Sequence, residues 1–353
     1  MGQVTLKDIA NALGVSTTSV HRALYNKGGI SGELRSKILE EAASLGYKSN
    51  YAASALKRHT IIIAVVLPSQ KEAGRYYYKY LWDAITDCQE DAESFNVNVI
   101  TRTYEDSAAD HCRVLSQLFK EFGGQLDGLL TLPIRADEQT TNTLNKFCFA
   151  GIAIVLFDID LPFTNRLCCV APHEYNNGAL AAEVLSIITH QKGKVLIAGG
   201  SIQNSSHINT IKGFTEYIKN HAIDFEPVVI HGYENIAHCY ELAATAFQAH
   251  NDIVAFFGGT AREIVPLCRA ARDNNLAGKI KGVGNDLFRE SAQFLQENIL
   301  QAVIDKNNYE KGVIGFGALF DYVVKKVKPK NKFLQVPTRL VIKGNLHFYE
   351  EGL

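Results

Sequence analysis

At 353 residues the chain is too long for one small domain and fits one large domain or two of medium size. Its 46% apolar and 21% charged residues exclude global disorder, and no apolar run reaches the ~18 residues that a membrane span needs. The net charge of −1 hides an uneven distribution, because residues 1–60 carry eight Lys/Arg against four Asp/Glu and leave a net −5 for the remainder. A basic head on a mildly acidic body is the charge pattern of a chain whose head meets a polyanion. The start Met1–Val4 has no charged segment followed by an apolar one, so no export signal is expected. The seven cysteines are odd in number and scattered, with Cys168 and Cys169 adjacent. Reduced thiols and a cytoplasmic, nucleoid-associated protein are therefore expected. No Cys-x-x-Cys or clustered Cys/His spacing marks a metal site, and no cofactor is expected.

Three short helices account for residues 1–46. Leu6, Ile9, Ala10 and Leu13 recur at helical spacing, as do Leu34, Ile38, Ala42 and Leu45. Thr5, Ser16 and Ser31 are N-cap candidates, while Gly14 and Gly46 are stops. The spacing of Ala10, Gly14 and Val20 is that of a helix-turn-helix. The alanine must be small where the second helix crosses, the glycine permits the turn, and the valine packs the second helix back. That second helix, Thr17–Leu24, presents Ser16, Thr17, Thr18, His21 and Arg22 to base edges in the major groove of double-stranded DNA. An ordinary three-helix bundle without a ligand is the alternative. Residues 47–59 read as a hinge, in which Tyr51–Lys57 is Ala-rich but too short to persist as a helix unaided.

From residue 60 to 353, apolar strand-like runs alternate with amphipathic helical stretches. The runs are Ile61–Leu67, Asn98–Thr103, Gly128–Leu132, Ala153–Phe157, Leu167–Val170, Val195–Ala198, Pro227–His231, Ile253–Phe257, Lys281–Val283, Leu300–Val303 and Thr338–Ile342. Val/Ile-rich strands alternating with helices imply parallel sheets covered on both faces. Eleven strands exceed one compact sheet, so two α/β lobes are expected. Lobe 1 takes about 60–170 and 296–327, and lobe 2 about 171–295 and 328–353.

The head resembles the LacI/GalR family of bacterial repressors. The likeness runs through Val4-Thr5-Leu6-Lys7-Asp8-Ile9-Ala10, Gly14-Val15-Ser16 and His21-Arg22-Ala23-Leu24. It continues through Leu45-Gly46-Tyr47-Lys48-Ser49-Asn50, then Ala53, Ala55 and Leu56. The resemblance implies that Thr17 and Thr18 read bases, that Arg22 contacts a base or a phosphate, and that Thr5 and Ser16 contact phosphates. It places Asn50, Ala53 and Leu56 on a hinge helix in the minor groove, with Leu56 wedged between base steps. A buried linker leucine is the alternative for Leu56. His21 departs from the family's usual serine. Thr17 and Thr18 accept several bases, so the operator sequence is not legible. A homodimer on a near-palindromic site is expected, because one head offers little contact area and the chain ends soon after Thr338–Ile342 with no leucine-heptad tail.

The body resembles the two-lobed periplasmic sugar-binding fold that this family carries, in which the chain crosses between lobes three times and a ligand sits in the cleft. Open α/β sheets also bind ligands at strand C-termini on general grounds. Ser69 and the stretch Arg75-Tyr76-Tyr77-Tyr78 match one cleft wall, where Tyr77 and Tyr78 would stack on a sugar. Alternatively Tyr77, Tyr78 and Trp82 are helix core and dimer surface. Asp158 and Asp286 match carboxylates that accept ligand hydroxyls, or they are helix N-caps. Thr210 stands where the family often has a clamping arginine. Gly259-Thr260 replaces the usual Asn-Asp, with Arg262 two residues later, and Lys306 stands at a common glutamine. Gaining Arg75, Arg262 or Lys306 while losing the clamp points to a different ligand, acidic or phosphorylated. A small polar metabolite, with a carbohydrate or polyol favoured, is the effector expected.

Three rival functions are weighed. An enzyme would use the Gly199-Gly200 or Gly258-Gly259 pairs at strand ends, yet neither forms a Gly-x-Gly-x-x-Gly or a P-loop, and no nucleophile elbow or His-Glu-x-x-His occurs. A transport solute-binding protein would have no use for residues 1–58. An effector-independent regulator with a degenerate cleft remains the main alternative.

Overall fold

The computed structural model describes residues 4–24, 28–47, 59–105, 107–232 and 235–353. The hinge positions Asn50, Ala53 and Leu56, and the helix expected over Tyr51–Lys57, lie outside the described residues.

In the head, α1 (Leu6–Leu13), α2 (Thr17–Leu24) and α3 (Gly32–Ser44) close on a core of Ile9, Ala10, Val20, Ala23, Ile38 and Ala42. Local signals set each end. The Thr5 hydroxyl accepts the Asp8 N–H while the Asp8 carboxylate accepts the Thr5 N–H, a reciprocal cap of α1. Ser16 and Ser31 cap α2 and α3 through their hydroxyls. Gly14 (φ 65°) and Gly46 (φ 68°) turn into the left-handed region. There Val15 N–H reaches Ala10 O at 3.0 Å and Tyr47 N–H reaches Ala42 O at 2.8 Å, which satisfies carbonyls that the helix ends would otherwise strand. The Arg35 guanidinium donates to the carbonyls of Arg22 and Ala23 and so fastens α3 to the end of α2.

The body holds two six-stranded sheets. The first contains β1 (Ile61–Pro68), β2 (Val97–Tyr104), β3 (Gly128–Thr131), β4 (Ala153–Phe157), β5 (Cys168–Ala171) and β11 (Phe333–Gln335), in the order β11-β5-β4-β3-β1-β2 and all parallel. The second contains β6 (Gly193–Ala198), β7 (Phe225–Ile230), β8 (Ile253–Gly258), β9 (Lys281–Asn285), β10 (Ala302–Asp305) and β12 (Arg339–Val341), in the order β12-β10-β9-β8-β6-β7. Only β12 runs antiparallel to its neighbour. The order of β1–β5 repeats in β6–β10, so the two lobes share one winding. Central strands such as β8 are buried along their whole length, which is why they read as continuous apolar runs.

The helices follow the strands. In lobe 1 these are α4 (Tyr78–Glu93), α5 (Ala108–Phe122) and α6 (Glu138–Phe149). After β5 the chain crosses to lobe 2 and forms α7 (Glu174–Ile188), then α8 (Ser205–Asn220), α9 (Ile236–Ala249), α10 (Ala261–Asp273) and α11 (Arg289–Gln296). After β10 it crosses back as α12 (Asn308–Phe320), and between β11 and β12 it crosses a third time. Helices α7 and α8 touch backbone to backbone. A Cβ on Gly178 would lie 1.8 Å from Thr210 O, and one on Gly213 would lie 1.9 Å from Tyr175 O.

Two lobe boundaries differ from the sequence expectation. Lobe 1 does not resume at 296, because Ala302–Ile304 pairs with Val283–Asn285 inside the second sheet, and the crossing follows Asp305. Nor does lobe 2 resume at 328, because Phe333–Gln335 pairs with Cys169–Ala171 in the first sheet. That strand, β11, has three residues on a sheet edge, beside the polar run Lys328-Pro329-Lys330-Asn331-Lys332, and it carries no alternation to reveal it.

Candidate functional site

In the head, Thr17 and Thr18 are exposed on the first turn of α2. Arg22 lies one turn beyond Thr18 on the same face and His21 one turn beyond Thr17, so the four residues form one surface. Arg22 is exposed, and its Nη1 donates to Gly29 O at 3.3 Å in the loop before α3, while His21 is half-buried. Thr5 and Ser16 sit at the N-termini of α1 and α2, where unpaired N–H groups and the helix dipole suit an anion.

In the body, a cleft of about 190 Å³ opens between the lobes at the C-terminal ends of the strands. Lobe 1 lines it with Ser69, Tyr77, Tyr78, Leu132 and Asp158, and lobe 2 with Glu174, Asn204, His207, Arg262, Asp286 and Lys306. Of the residues expected there, Ser69, Tyr77, Tyr78, Asp158, Arg262, Asp286 and Lys306 are brought together; three are not.

Arg75 is turned away from the cleft. Its guanidinium pairs with Glu290 at 2.9 Å, donates to the Tyr76 hydroxyl at 2.9 Å and lies over the Tyr76 ring. Tyr76 itself is buried against Phe288 in the core of lobe 2. Arg75 therefore belongs to a strap that ties lobe 1 to lobe 2. Thr210 is buried and donates its hydroxyl to Glu174 at 3.1 Å, beneath the cleft floor. Gly259 serves packing: its N–H meets Ala198 O, its carbonyl accepts the Asn285 amide at 2.7 Å, and a Cβ would lie 2.7 Å from Ala198 O.

Two charged groups that the sequence reading passed over organise the floor. Lys311, fully buried on α12, places Nζ 2.6 Å from Asp158 Oδ1 and 2.7 Å from the Tyr77 hydroxyl, which itself donates to Asp158 Oδ2 at 2.8 Å. Tyr77 is thus fastened by its hydroxyl, with the Lys311 ammonium 4.4 Å from its ring centroid. Glu174, at the start of α7, pairs with Lys306 at 3.1 Å. Burial opposes the Lys306 charge, but Glu174 and Asp286 more than offset it and lift the amine to about 12. Of the three gained cations, Lys306 and Arg75 are therefore paired within the protein and do not await an acidic ligand, while Arg262 lines the cleft as expected. The lining holds Lys71, Arg262 and Lys306 against Glu72, Glu105, Asp158, Glu174 and Asp286, and the pairs Lys311–Asp158 and Lys306–Glu174 leave it close to charge balance. Position gave a sequence signal for Glu174, which stands three residues after the end of β5 and opens a helix. Nothing local marked Lys311.

Asp286 differs from its neighbours. It is 1% exposed, its Oδ1 accepts the Asn308 amide at 3.3 Å, and its Oδ2 has no hydrogen-bond partner. Burial first, joined by Asp305 and Glu174 and opposed by the Lys306 ammonium, raises its carboxyl to about 7. Burial, aided by Lys306, lowers His207 on the same wall to about 3, so its imidazole is neutral at physiological pH. Among the described residues no group of His, Cys, Asp and Glu could hold a metal ion, and no helix is long and apolar enough to cross a membrane.

Two families match the chain: "Bacterial regulatory proteins, lacI family" over residues 5–50 and "Periplasmic binding protein domain" over residues 63–326. Catabolite control protein A of Priestia megaterium is 21% identical over 341 residues, covering 96% of this chain and 97% of that protein. The HTH-type transcriptional regulator DegA of Bacillus subtilis is 25% identical over 264 residues, covering 72% and 74%. Among solved structures, a solute-binding protein of Burkholderia graminis in complex with D-arabinose superposes with a TM-score of 0.72 at 15% identity, covering 82% of this chain and 98% of that one. A solute-binding protein of Agrobacterium vitis bound with α-D-tagatopyranose gives 0.73 at 16% identity, covering 82% and 97%. These similar proteins are regulators and sugar-binding proteins, not enzymes.

Proposed function

Because this chain belongs to the lacI family of bacterial transcriptional regulators, with a sensor domain like the sugar-binding proteins, we propose that it is a repressor that binds a near-palindromic operator as a homodimer under the control of a small polar metabolite. A sugar, polyol or sugar derivative in the inter-lobe cleft is the effector favoured. One observation carries the reading: a single chain joins an exposed reading surface, Thr17 and Thr18, to a cleft whose buried Asp286 has an acceptor atom without a partner.

Thr17, Thr18 and His21 would meet base edges, and Arg22 would leave Gly29 for a base or phosphate. Thr5 and Ser16 would hold phosphates at helix N-termini. The minor-groove role of Asn50, Ala53 and Leu56 rests on sequence alone. Ligand closure of the lobes would change the spacing of two heads, and the hinge would translate that into DNA affinity. Its place of action is then the nucleoid, in the cytoplasm. The bare acceptor on Asp286 counts against a degenerate cleft, since a buried polar group left unpaired costs about 1–3 kcal/mol and is kept where a ligand answers it.

The test is selection of duplexes from a random pool by the full chain, followed by footprinting. One near-palindromic consensus should emerge, with affinity that falls steeply as salt rises. Arg22→Ala should cost about 1–3 kcal/mol of specific binding, roughly fivefold to a hundredfold, with unfolding unchanged. Leu56→Ala should reduce bending more than non-specific affinity. Unchanged footprints in both variants would remove the DNA assignment.

A further inference from the structure

The two lobes repeat one winding, so each strand end has a counterpart. Asp158 follows β4, the fourth strand of lobe 1, and Asp286 follows β9, the fourth strand of lobe 2. Their backbones match. Both have left-handed φ, 61° and 70°. Asp158 N–H donates to Val170 O on β5 at 3.0 Å, and Asp286 N–H donates to Ile304 O on β10 at 2.8 Å. The repeat therefore delivers two carboxylates to the cleft, one from each wall.

Their partners do not match. Asp158 receives an ammonium from Lys311 and a hydroxyl from Tyr77, one on each oxygen. Lys311 precedes Gly312, where α12 packs tightly on α4, and Tyr77 is the N-cap residue of α4. The corresponding places in lobe 2 are Asn177, which precedes Gly178 where α7 packs on α8, and Asn204, the N-cap residue of α8. Neither serves Asp286. The Asn177 amide turns to Glu174 and Thr338, and Asn204 Oδ1 accepts Ser206 N–H at 2.8 Å. Lys306 is held by Glu174. Asp286 is thus left with one long amide bond, the electrostatic pull of Lys306, and an Oδ2 with no hydrogen-bond partner, buried in the wall of the cleft.

Resting on the effector reading above, we propose that the cleft selects an amine-bearing polyhydroxyl ligand, an amino sugar or amino polyol, whose ammonium pairs with Asp286 as Lys311 pairs with Asp158. The remaining hydroxyls meet the neutral donors and acceptors of the lining, Ser69, Asn204, Ser206 and Thr260. Both buried ammonium groups of the floor, Lys306 and Lys311, are already committed to carboxylates, so a phosphorylated ligand would have only Arg262 and Lys71 of the lining to answer its charge.

The experiment is calorimetric titration of the full chain with D-glucosamine, D-galactosamine and D-mannosamine. Each is set against its parent hexose, its N-acetyl form and its 6-phosphate. At least one amine should bind about tenfold or more tighter than all three of its counterparts, as a charge-assisted bond in a buried site implies. Asp286→Asn, which keeps the shape, should bring amine and parent hexose within about twofold of each other. A hexose or phosphate that binds as tightly as its amine overturns the proposal and leaves the effector reading standing. So does a D286N protein that keeps the preference. Binding by none of the compounds overturns both. The wild-type arm decides the matter even if the variant folds poorly.

Discussion

Lobe 1 closes its own carboxylate and lobe 2 leaves its own open. Asp158 and Asp286 occupy the same place in the same winding, yet one carries a lysine and a tyrosine hydroxyl and the other a single amide at 3.3 Å. The difference teaches that a fold fixes where a charged group stands, while its neighbours decide what that group can do. A satisfied buried ion pair is structure. A buried carboxyl with an idle oxygen is held at some cost in stability.

The comparison breaks most plainly at Lys311. Lys311→Asn gives lobe 1 the residue that lobe 2 has at Asn177 and strands Asp158. Removing one partner of a buried pair costs about 3–5 kcal/mol, so urea unfolding should shift by that amount. Adding Asp158→Asn should recover much of the loss, because no lone charge is then left behind. A K311N protein as stable as the wild type would mean that the pair seals nothing.

Asp286→Asn should act in the opposite direction. A carboxyl raised to about 7 in the fold contributes stability that is present below its unfolded pKa and is lost as pH rises through about 7. D286N carries no such titration. The variant should be more stable than the wild type at pH 8, by up to about 4 kcal/mol at the linkage limit, with the gain shrinking toward pH 4. Thermal unfolding across that range checks the sign, and a wild type that gains on D286N as pH rises would contradict the open carboxyl. The smallest effect belongs to Thr210→Val. Glu174 keeps Lys306 when the Thr210 hydroxyl is removed, so the loss should stay near 1 kcal/mol, with ligand affinity changed little. A large loss of affinity would restore Thr210 to the cleft.

The head was legible because its signals are local. Caps, stops and core positions lie within one short stretch, and Thr5, Gly14, Ser31 and Gly46 do in the structure what their residue types favour. The winding of the body was legible for a similar reason, since buried parallel strands announce themselves as apolar runs. The partners in the cleft were not. Lys311 and Asp158 are 153 positions apart, and only the return of α12 to lobe 1 brings them together. Arg75 lay beside cleft residues in sequence, yet a 3-10 turn (Glu72–Tyr76) carries it to Glu290 on the far lobe. Lobe boundaries failed at β11 because a three-residue edge strand has too little pattern to stand out from a Lys- and Pro-rich loop.

The central claim is that occupancy of Asp286 controls the grip of the head on DNA. The direct measurement is the affinity of the full chain for its selected duplex, by fluorescence anisotropy, along a titration with the amine that binds best. The wild-type affinity should change by about fivefold or more, the size of an ordinary allosteric coupling, while D286N holds its DNA affinity constant over the same titration. Equal responses in the two proteins, or no response in the wild type at saturating ligand, would contradict it.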